Sequence, residues 1–270
     1  MKISFIGGGN MATALIAGLV GKVPQAGDIH VVDPNAEALN KLHTQYGVGT
    51  ADTIDAAVAE SAIVVLAVKP QQMREVAAQL KPHLAGQPLL LSIAAGIRSA
   101  DLSRWLDGHK AIVRAMPNTP ALIKKGITGM VAMAAVSADQ KELADEVMRA
   151  VGDTLWLADE SQIDAVTAVS GSGPAYVFYF LEAMQQAATE MGLAPEEGKQ
   201  LALATFMGAA RLAAQSDEEL AVLRQRVTSK GGTTHAAITS MEAAGVKQAI
   251  IEAMKAAQAR GRELGDELGR

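Results

Sequence analysis

Two stretches of this chain carry residues whose types and spacing suit the binding of anions. The first is Gly7-Gly8-Gly9-Asn10-Met11-Ala12, which has the G-x-G-x-x-A spacing of a turn between a strand and a helix. Glycines at such a turn let the backbone approach a pyrophosphate, and the N-terminus of the following helix offers free N–H groups and a partial positive charge. The pattern therefore indicates a dinucleotide site.

The surroundings of this turn favour a bound dinucleotide. Lys2–Ile6 has the pattern of an apolar strand, Met11–Val20 that of a helix, and a second strand, Ile29–Val32, ends at Asp33. That acid lies at about the distance expected for a residue that binds an adenosine ribose. An ordinary strand–helix turn without a ligand is the alternative.

The second stretch is Val227–Thr234, near the other end of the chain. Gly231 and Gly232 expose backbone N–H groups, two threonines supply hydroxyls, and a helix is predicted to begin immediately after them. Such a loop suits a carboxylate or a single phosphate, although a helix cap with a flexible approach fits the local residues equally well. We expect the neighbouring His235 to be structural rather than catalytic.

Larger elements must position these loops, and in the first half of the chain strand patterns alternate with helical ones. The strand patterns cover Lys2–Ile6, Ile29–Val32, Ala62–Val68, Pro88–Ile93, Ala111–Arg114, Thr128–Ala134 and Thr154–Leu157. The alternation predicts a parallel sheet covered by helices on both faces, with ligands at the carboxyl ends of the strands. The residues that follow each strand are therefore the candidate ligand contacts.

After about Asp159 the strand patterns stop and helical patterns follow. The helix that starts near Pro174 is apolar nearly all round, so we expect its own domain or a second subunit to bury it. The predicted fold is an α/β Rossmann-type dinucleotide-binding domain over residues 1–160, followed by an all-α domain over residues 161–270.

Composition narrows the possible functions. The chain has 270 residues, no cysteine and a net charge of −5. The lack of cysteine excludes disulfides, thiol-ligated metal and thiol catalysis, and no metal cluster is evident. Interspersed acids and bases argue against a nucleic-acid surface. No stretch has the unbroken apolar length of a membrane helix, and the apolar start lacks a signal-peptide pattern. We expect a soluble, cytoplasmic protein.

Motifs along nearly the whole chain resemble those of one family, the pyrroline-5-carboxylate reductases. The matching segments, in the family's order, are residues 5–11, 67–70, 92–96, 114–120, 169–176 and 229–234. The first motif is generic, whereas the last two together are highly specific. The resemblance implies reduction of 1-pyrroline-5-carboxylate, a cyclic imine, to L-proline by a nicotinamide cofactor. It also implies a homodimer, or a ring of dimers, joined through an all-α C-terminal dimerisation domain.

The resemblance further implies which residues form the site. The cofactor-binding residues are Ile6, Gly7, Gly8, Gly9, Asn10, Met11, Ala67, Val68, Lys69, Pro70, Ala94, Ala95 and Asn118. The substrate-binding residues are Glu160, Ser229, Gly231, Gly232, Thr233 and Thr234. The hydroxyl of Thr234 is the expected catalytic group, as a hydrogen-bond donor to the ring nitrogen or as a proton relay. For Glu160, a solvated acid at the domain junction is an equally good interpretation.

Asp33 and Asn35 also belong to the predicted cofactor site, and they leave the choice between NADPH and NADH open. The family more often uses NADPH, but Val32-Asp33-Pro34-Asn35 offers no cation to a 2′-phosphate. An acid here favours the ribose diol of NADH. If Asp33 turns away, backbone N–H groups and Asn35 are free for the phosphate instead. We therefore expect both cofactors to be used.

Two other functions fit parts of the sequence. A 2-hydroxy or keto acid reductase would share the architecture, but the helix after Pro174 offers Tyr176, Glu182 and Gln185 and no lysine for the alcohol oxygen. A non-catalytic nucleotide sensor would lack a substrate loop, so the segment at Gly231–Thr234 argues against it.

Overall fold

The computed structural model describes residues Met1 to Arg270, which form two compact units. The first unit contains residues 1–172 and 257–270, and the second contains residues 173–256. The sequence places the domain boundary after residue 160. The first unit extends beyond it because residues 163–166 pack on the sheet and the end of the last helix packs on the first unit's own helices.

An eight-stranded sheet forms the centre of the first unit, in the order β3-β2-β1-β4-β5-β6-β7-β8. The strands are β1 (Ile3–Ile6), β2 (Ile29–Val32), β3 (Gly49–Ala51), β4 (Ile63–Leu66), β5 (Leu89–Ser92), β6 (Ile112–Met116), β7 (Gly126–Ala132) and β8 (Gly152–Trp156). Both faces of the central strands are buried: along β4, Ile63 and Val65 belong to one apolar cluster, and Val64 and Leu66 belong to another. The predicted Rossmann-type fold with helices on both faces is confirmed.

Two features of the sheet differ from the prediction. β7 runs antiparallel to β6, because the connection between them holds only a 3₁₀ turn, Thr119–Ile123, instead of a crossover helix. β3 was not predicted, since Gly49–Ala51 is short and carries no run of apolar residues. Every other pairing in the sheet is parallel.

Helices cover the sheet of the first unit. They are α1 (Asn10–Leu19), α2 (Ala36–Tyr46), α3 (Ala56–Ala59), α4 (Met73–Leu80), α5 (Ser99–Trp105), α6 (Ala138–Arg149) and α7 (Ile163–Val166). A π-helical turn, Thr167–Gly171, follows α7. None of the helices in the chain combines the length and the apolar composition needed to cross a membrane.

The second unit is helical. Its elements are α8 (Gly173–Glu190), α9 (Pro195–Ala214), α10 (Leu220–Arg226), α11 (Thr233–Ala243) and the beginning of α12 (Val246–Leu268). α8 packs against α9, where the rings of Phe180 and Phe206 lie 6.4 Å apart. The other side of this pair is exposed in the single chain, including Tyr179 and Met207. The unit therefore buries only part of the apolar surface of α8.

Candidate functional site

A cleft of about 630 Å³ lies at the carboxyl ends of β1, β2 and β4. In open α/β sheets ligands bind at this edge, and the volume is in the range of small-molecule sites. The predicted residues that line the cleft are Ile6, Gly7, Gly9, Asp33, Asn35, Ala67, Val68 and Lys69. The structure thus brings together residues that follow three different strands.

Further residues line this cleft that were not predicted from the sequence. They are Val32, Pro34, Asp52, Thr53, Ile54, Gln72, Glu75, Val76 and Gln79. Asp52 and Thr53 directly follow β3, so recognising that strand would have identified them. The cleft holds one cation, Lys69, and three carboxylates, those of Asp33, Asp52 and Glu75. The excess of negative charge disfavours the binding near β2 of the 2′-phosphate that NADPH carries and NADH lacks.

The glycine turn has the geometry that a pyrophosphate site requires. Gly7 has φ +105, and a Cβ there would lie 2.7 Å from the carbonyl oxygen of Ala67, so only glycine fits between the strands. Gly9 has no atom within 4 Å of the position of a Cβ. It precedes α1, whose N-terminus has no side-chain cap and no acid in its first turn. The first N–H groups of α1 are therefore available to a phosphate, which fits a dinucleotide.

Asp33 is held in place by the turn itself. One carboxylate oxygen accepts the N–H of Gly8 at 2.7 Å, and the other accepts the N–H of Asn35 at 2.8 Å. The side-chain oxygen of Asn35 caps α2 by accepting the N–H groups of Glu37 and Ala38. In this conformation Asp33 is held at the turn and the side-chain oxygen of Asn35 is occupied by α2, which favours the ribose diol of NADH; contact of Asn35 with a 2′-phosphate stays a prediction.

The remaining predicted cofactor residues lie outside the cleft. They are Gly8, Asn10, Met11, Pro70, Ala94, Ala95 and Asn118. Ala94 and Ala95 follow β5 closely, and Ala95 is exposed. Asn118 is buried, and its amide donates to the carbonyl oxygen of Ser170 at 3.2 Å and accepts the N–H of Ile127 at 3.0 Å. Its side chain therefore fastens the turn after β6, and contact with a cofactor stays a prediction for that turn's backbone.

Glu160 takes part in a network inside the first unit. Its Oε1 accepts hydrogen bonds from the N–H of Ser99 at 2.8 Å and the hydroxyl of Ser99 at 3.1 Å. The same oxygen accepts from Nη1 of Arg114 at 3.0 Å, and the Arg114 side chain is only 6% exposed. This engagement with a buried arginine argues against a freely solvated junction acid, and the Glu160 side chain is 31% exposed. Contact with substrate stays a prediction for the second oxygen.

The predicted substrate loop belongs to the second unit. Gly231 has φ +75, which favours glycine, and the N–H of Gly232 donates to the carbonyl oxygen of Ser229 at 3.0 Å. α11 begins at Thr233 with no side-chain cap. The N–H of Gly232, predicted as a carboxylate donor, is engaged in this turn, whereas the N–H groups of the first turn of α11 are available to a ligand.

Comparisons with known proteins agree with the resemblance over the whole chain. The profile for pyrroline-5-carboxylate reductase dimerisation matches residues 160–264, and that for NADP oxidoreductase, coenzyme F420-dependent, matches residues 2–96. A pyrroline-5-carboxylate reductase of Pseudomonas aeruginosa is 47% identical over 268 residues, covering 99% of this chain and 98% of that protein.

Solved structures give the same result. The structure of a pyrroline-5-carboxylate reductase from Coxiella burnetii matches with a TM-score of 0.90 at 40% identity, over 97% of this chain and 98% of that one. Plasmodium falciparum pyrroline carboxylate reductase with NADP bound matches with a TM-score of 0.87 at 28% identity, over 98% of both chains. The chain belongs to the pyrroline-5-carboxylate reductase family.

Proposed function

We propose that this chain reduces 1-pyrroline-5-carboxylate to L-proline with NADPH or NADH, the last step of proline biosynthesis. The observation that carries the proposal is the open glycine turn at Gly9, placed at the cleft of a Rossmann-type unit whose full-length relatives are reductases of this name. The uncapped start of α11 supports it, because a helix N-terminus suits the carboxylate of the substrate.

Reduction of the imine requires mainly that the cofactor and the substrate are correctly positioned and that the charge on the substrate is stabilised. When bound, the reduced nicotinamide supplies a hydride to the imine carbon, and the ring nitrogen ends with one added proton. A cyclic imine can arrive already protonated, so a strong general acid is not required. The first N–H groups of α11 hold the carboxylate, and the hydroxyl of Thr234 donates a hydrogen bond to the ring nitrogen or relays its proton. Thr234 is exposed, so its hydroxyl is accessible to a ligand.

The test is an assay of nicotinamide absorbance with purified protein, NADPH or NADH, and either 1-pyrroline-5-carboxylate or a 2-keto acid. We expect oxidation of the cofactor with the imine only. Turnover of the keto acid alone would favour the related reductase class. Cofactor binding without turnover of either compound would indicate a nucleotide sensor.

Cofactor preference is expected to depend on the charge of Asp33. Like charges close to a surface repel by about 1–3 kcal/mol, so removing the charge is expected to raise the NADPH to NADH ratio of kcat/KM about tenfold or more. Asp33→Asn is the more specific variant, because it removes the charge while its amide oxygen can still accept one of the two N–H groups bound by Asp33, those of Gly8 and Asn35. Asp33→Ser removes both the charge and this hydrogen bond. An unchanged ratio in Asp33→Asn would refute the repulsion.

The role of Glu160 is tested by Glu160→Gln. The buried guanidinium of Arg114 then loses its charged partner but keeps a neutral acceptor, and we expect the free energy of unfolding to fall by roughly 1–3 kcal/mol. The pH profile of kcat/KM is expected to stay the same if Glu160 only holds Arg114 and Ser99, and to shift if its second oxygen also faces the substrate. The control is Glu252→Gln, which removes an exposed pair with Lys255 and should change stability by less than about 0.5 kcal/mol. A shifted pH profile at unchanged stability would instead place Glu160 at the substrate.

The second unit supports self-association, and a ring of dimers is the finer proposal. Phe178 and Tyr179 of α8 are 65% and 73% exposed in the single chain, and Leu201 and Met207 of α9, which packs against α8, are also exposed. Large apolar side chains exposed on two packed helices favour an interface. Sedimentation analysis should give a dimer or a multiple of it, and a monomer at micromolar concentration would contradict the proposal.

A cytoplasmic location stays a prediction, which cell fractionation would test.

A further inference from the structure

The last residues of the chain pack against the loop that follows β5. Residues 264–270, the α12 end, belong to the first unit. Gly96 has φ +77, and a Cβ there would lie 3.1 Å from Cδ1 of Leu268 and 3.4 Å from Cβ of Leu264. The loop therefore needs glycine at this position both for its backbone conformation and for the close approach of the α12 end.

Arg98, two residues after Gly96, attaches the same loop to α12 through polar contacts. Nη2 of Arg98 donates to the carboxylate of Asp266 at 2.6 Å and lies 3.4 Å from the carbonyl oxygen of Arg262. Gly265 is buried beneath this guanidinium, and a Cβ there would lie 2.9 Å from Nη2. Because Gly265 has no side chain, the surface of α12 leaves room for the Arg98 guanidinium at this position.

α4 and α5 complete the attachment. Arg104 of α5 donates to the carbonyl oxygen of Gly269, and a Cβ at Gly269 would overlap the carboxylate of Asp101. Arg74 of α4 donates to the carbonyl oxygen of Arg270 at 3.0 Å. The α12 end is therefore bound by apolar contact and by several hydrogen bonds at once, which a single surface ion pair would not achieve.

The geometry points to the α12 end as a positioning element for the Ala94-Ala95 loop. The segment from Gly96 to Ser99 is held from two directions, by the α12 end and by Glu160, which accepts the N–H of Ser99. This segment directly continues Ala94-Ala95, which is the part of the loop expected to flank the nicotinamide. The inference rests on the proposed function: a small displacement of a group beside the reacting atoms lowers the rate of hydride transfer more than it lowers affinity.

The decisive variant combines Asp266→Asn with Leu268→Ala. We expect kcat to fall about tenfold while KM for the imine changes by less than about twofold, because neither substituted residue belongs to the predicted substrate loop. The primary deuterium isotope effect on kcat, measured with cofactor deuterated at the transferred hydrogen, is expected to rise as hydride transfer becomes rate-limiting. Glu263→Gln is the control, since its carboxylate pairs only with Arg260 on the same helix. A kcat and an isotope effect equal to those of the unsubstituted protein would overturn the inference.

Amide hydrogen exchange separates this inference from the proposed function. Peptides covering residues 93–99 should exchange faster in the double variant than in the unsubstituted protein or in Glu263→Gln, whether or not the imine is a substrate. Unchanged exchange would overturn the positioning role even in an active enzyme. If the double variant does not fold, Asp266→Asn alone keeps the packing of Leu264 and Leu268 on Gly96 and is judged by the same two measurements.

Discussion

Replacing Gly9 by alanine will weaken nucleotide binding at least about 100-fold and leave the protein folded. Gly9 has φ −69 and ψ −176, a conformation that alanine adopts without strain, and no atom lies within 4 Å of its new methyl group. The methyl group instead occupies the space through which a pyrophosphate must approach the N–H groups of α1. We expect Kd for NADPH and NADH, measured by fluorescence titration, to rise at least about 100-fold, a loss of about 2.8 kcal/mol of binding free energy.

Gly7→Ala is the matched comparison in the same turn, and its effect is expected on folding. Gly7 has φ +105, and its added Cβ would lie 2.7 Å from the carbonyl oxygen and 2.8 Å from the carbonyl carbon of Ala67. Backbone strain and this collision together should lower the free energy of unfolding by about 3 kcal/mol, whereas Gly9→Ala should change it by less than about 0.5 kcal/mol in urea titrations. Normal nucleotide affinity in Gly9→Ala would show that the pyrophosphate binds elsewhere.

Most strands of the sheet could be predicted because a strand that is buried on both faces is a run of consecutive apolar residues. Strands such as β4 are runs of apolar residues, and these runs stop where the chain leaves the core. β3 has no such apolar run, since its three residues are only half-buried at the edge of the sheet. Because β3 is not predicted, Asp52 and Thr53, which follow it and line the cleft, are not predicted either.

The partners of the polar site residues were not predictable in the same way. The sequence places Asp33, Glu160 and Asn118 near ligands, but each is engaged by residues distant in the chain or by backbone groups. These hydrogen bonds depend on how strands, turns and helices pack, so the spacing of residues in the sequence does not predict them. The resemblance to the reductase family, by contrast, identified the activity of the relatives, because its motifs cover both the glycine turn and the Gly231–Thr234 loop.

Thr234→Val is expected to lower kcat for imine reduction about 100-fold, within the range that a positioned proton donor contributes. Valine keeps the branched shape and the backbone N–H at the start of α11, so the proposed carboxylate contact should persist and KM should change little. Thr234→Ser keeps a hydroxyl and should retain much of the rate. Thr233→Val, which removes the neighbouring hydroxyl from the same turn, is the matched control and should leave kcat nearly unchanged.

The pH dependence of Thr234→Val distinguishes the two roles that its hydroxyl can play. If Thr234 relays a proton to the nitrogen, the variant should lose most activity at high pH, where little of the imine arrives protonated, and recover as the pH falls. If the hydroxyl only orients an imine that is already protonated, the loss should be the same at every pH. A variant as active as the unsubstituted protein across the whole range would remove Thr234 from the mechanism and leave positioning by the backbone of α11 as the contribution of this loop.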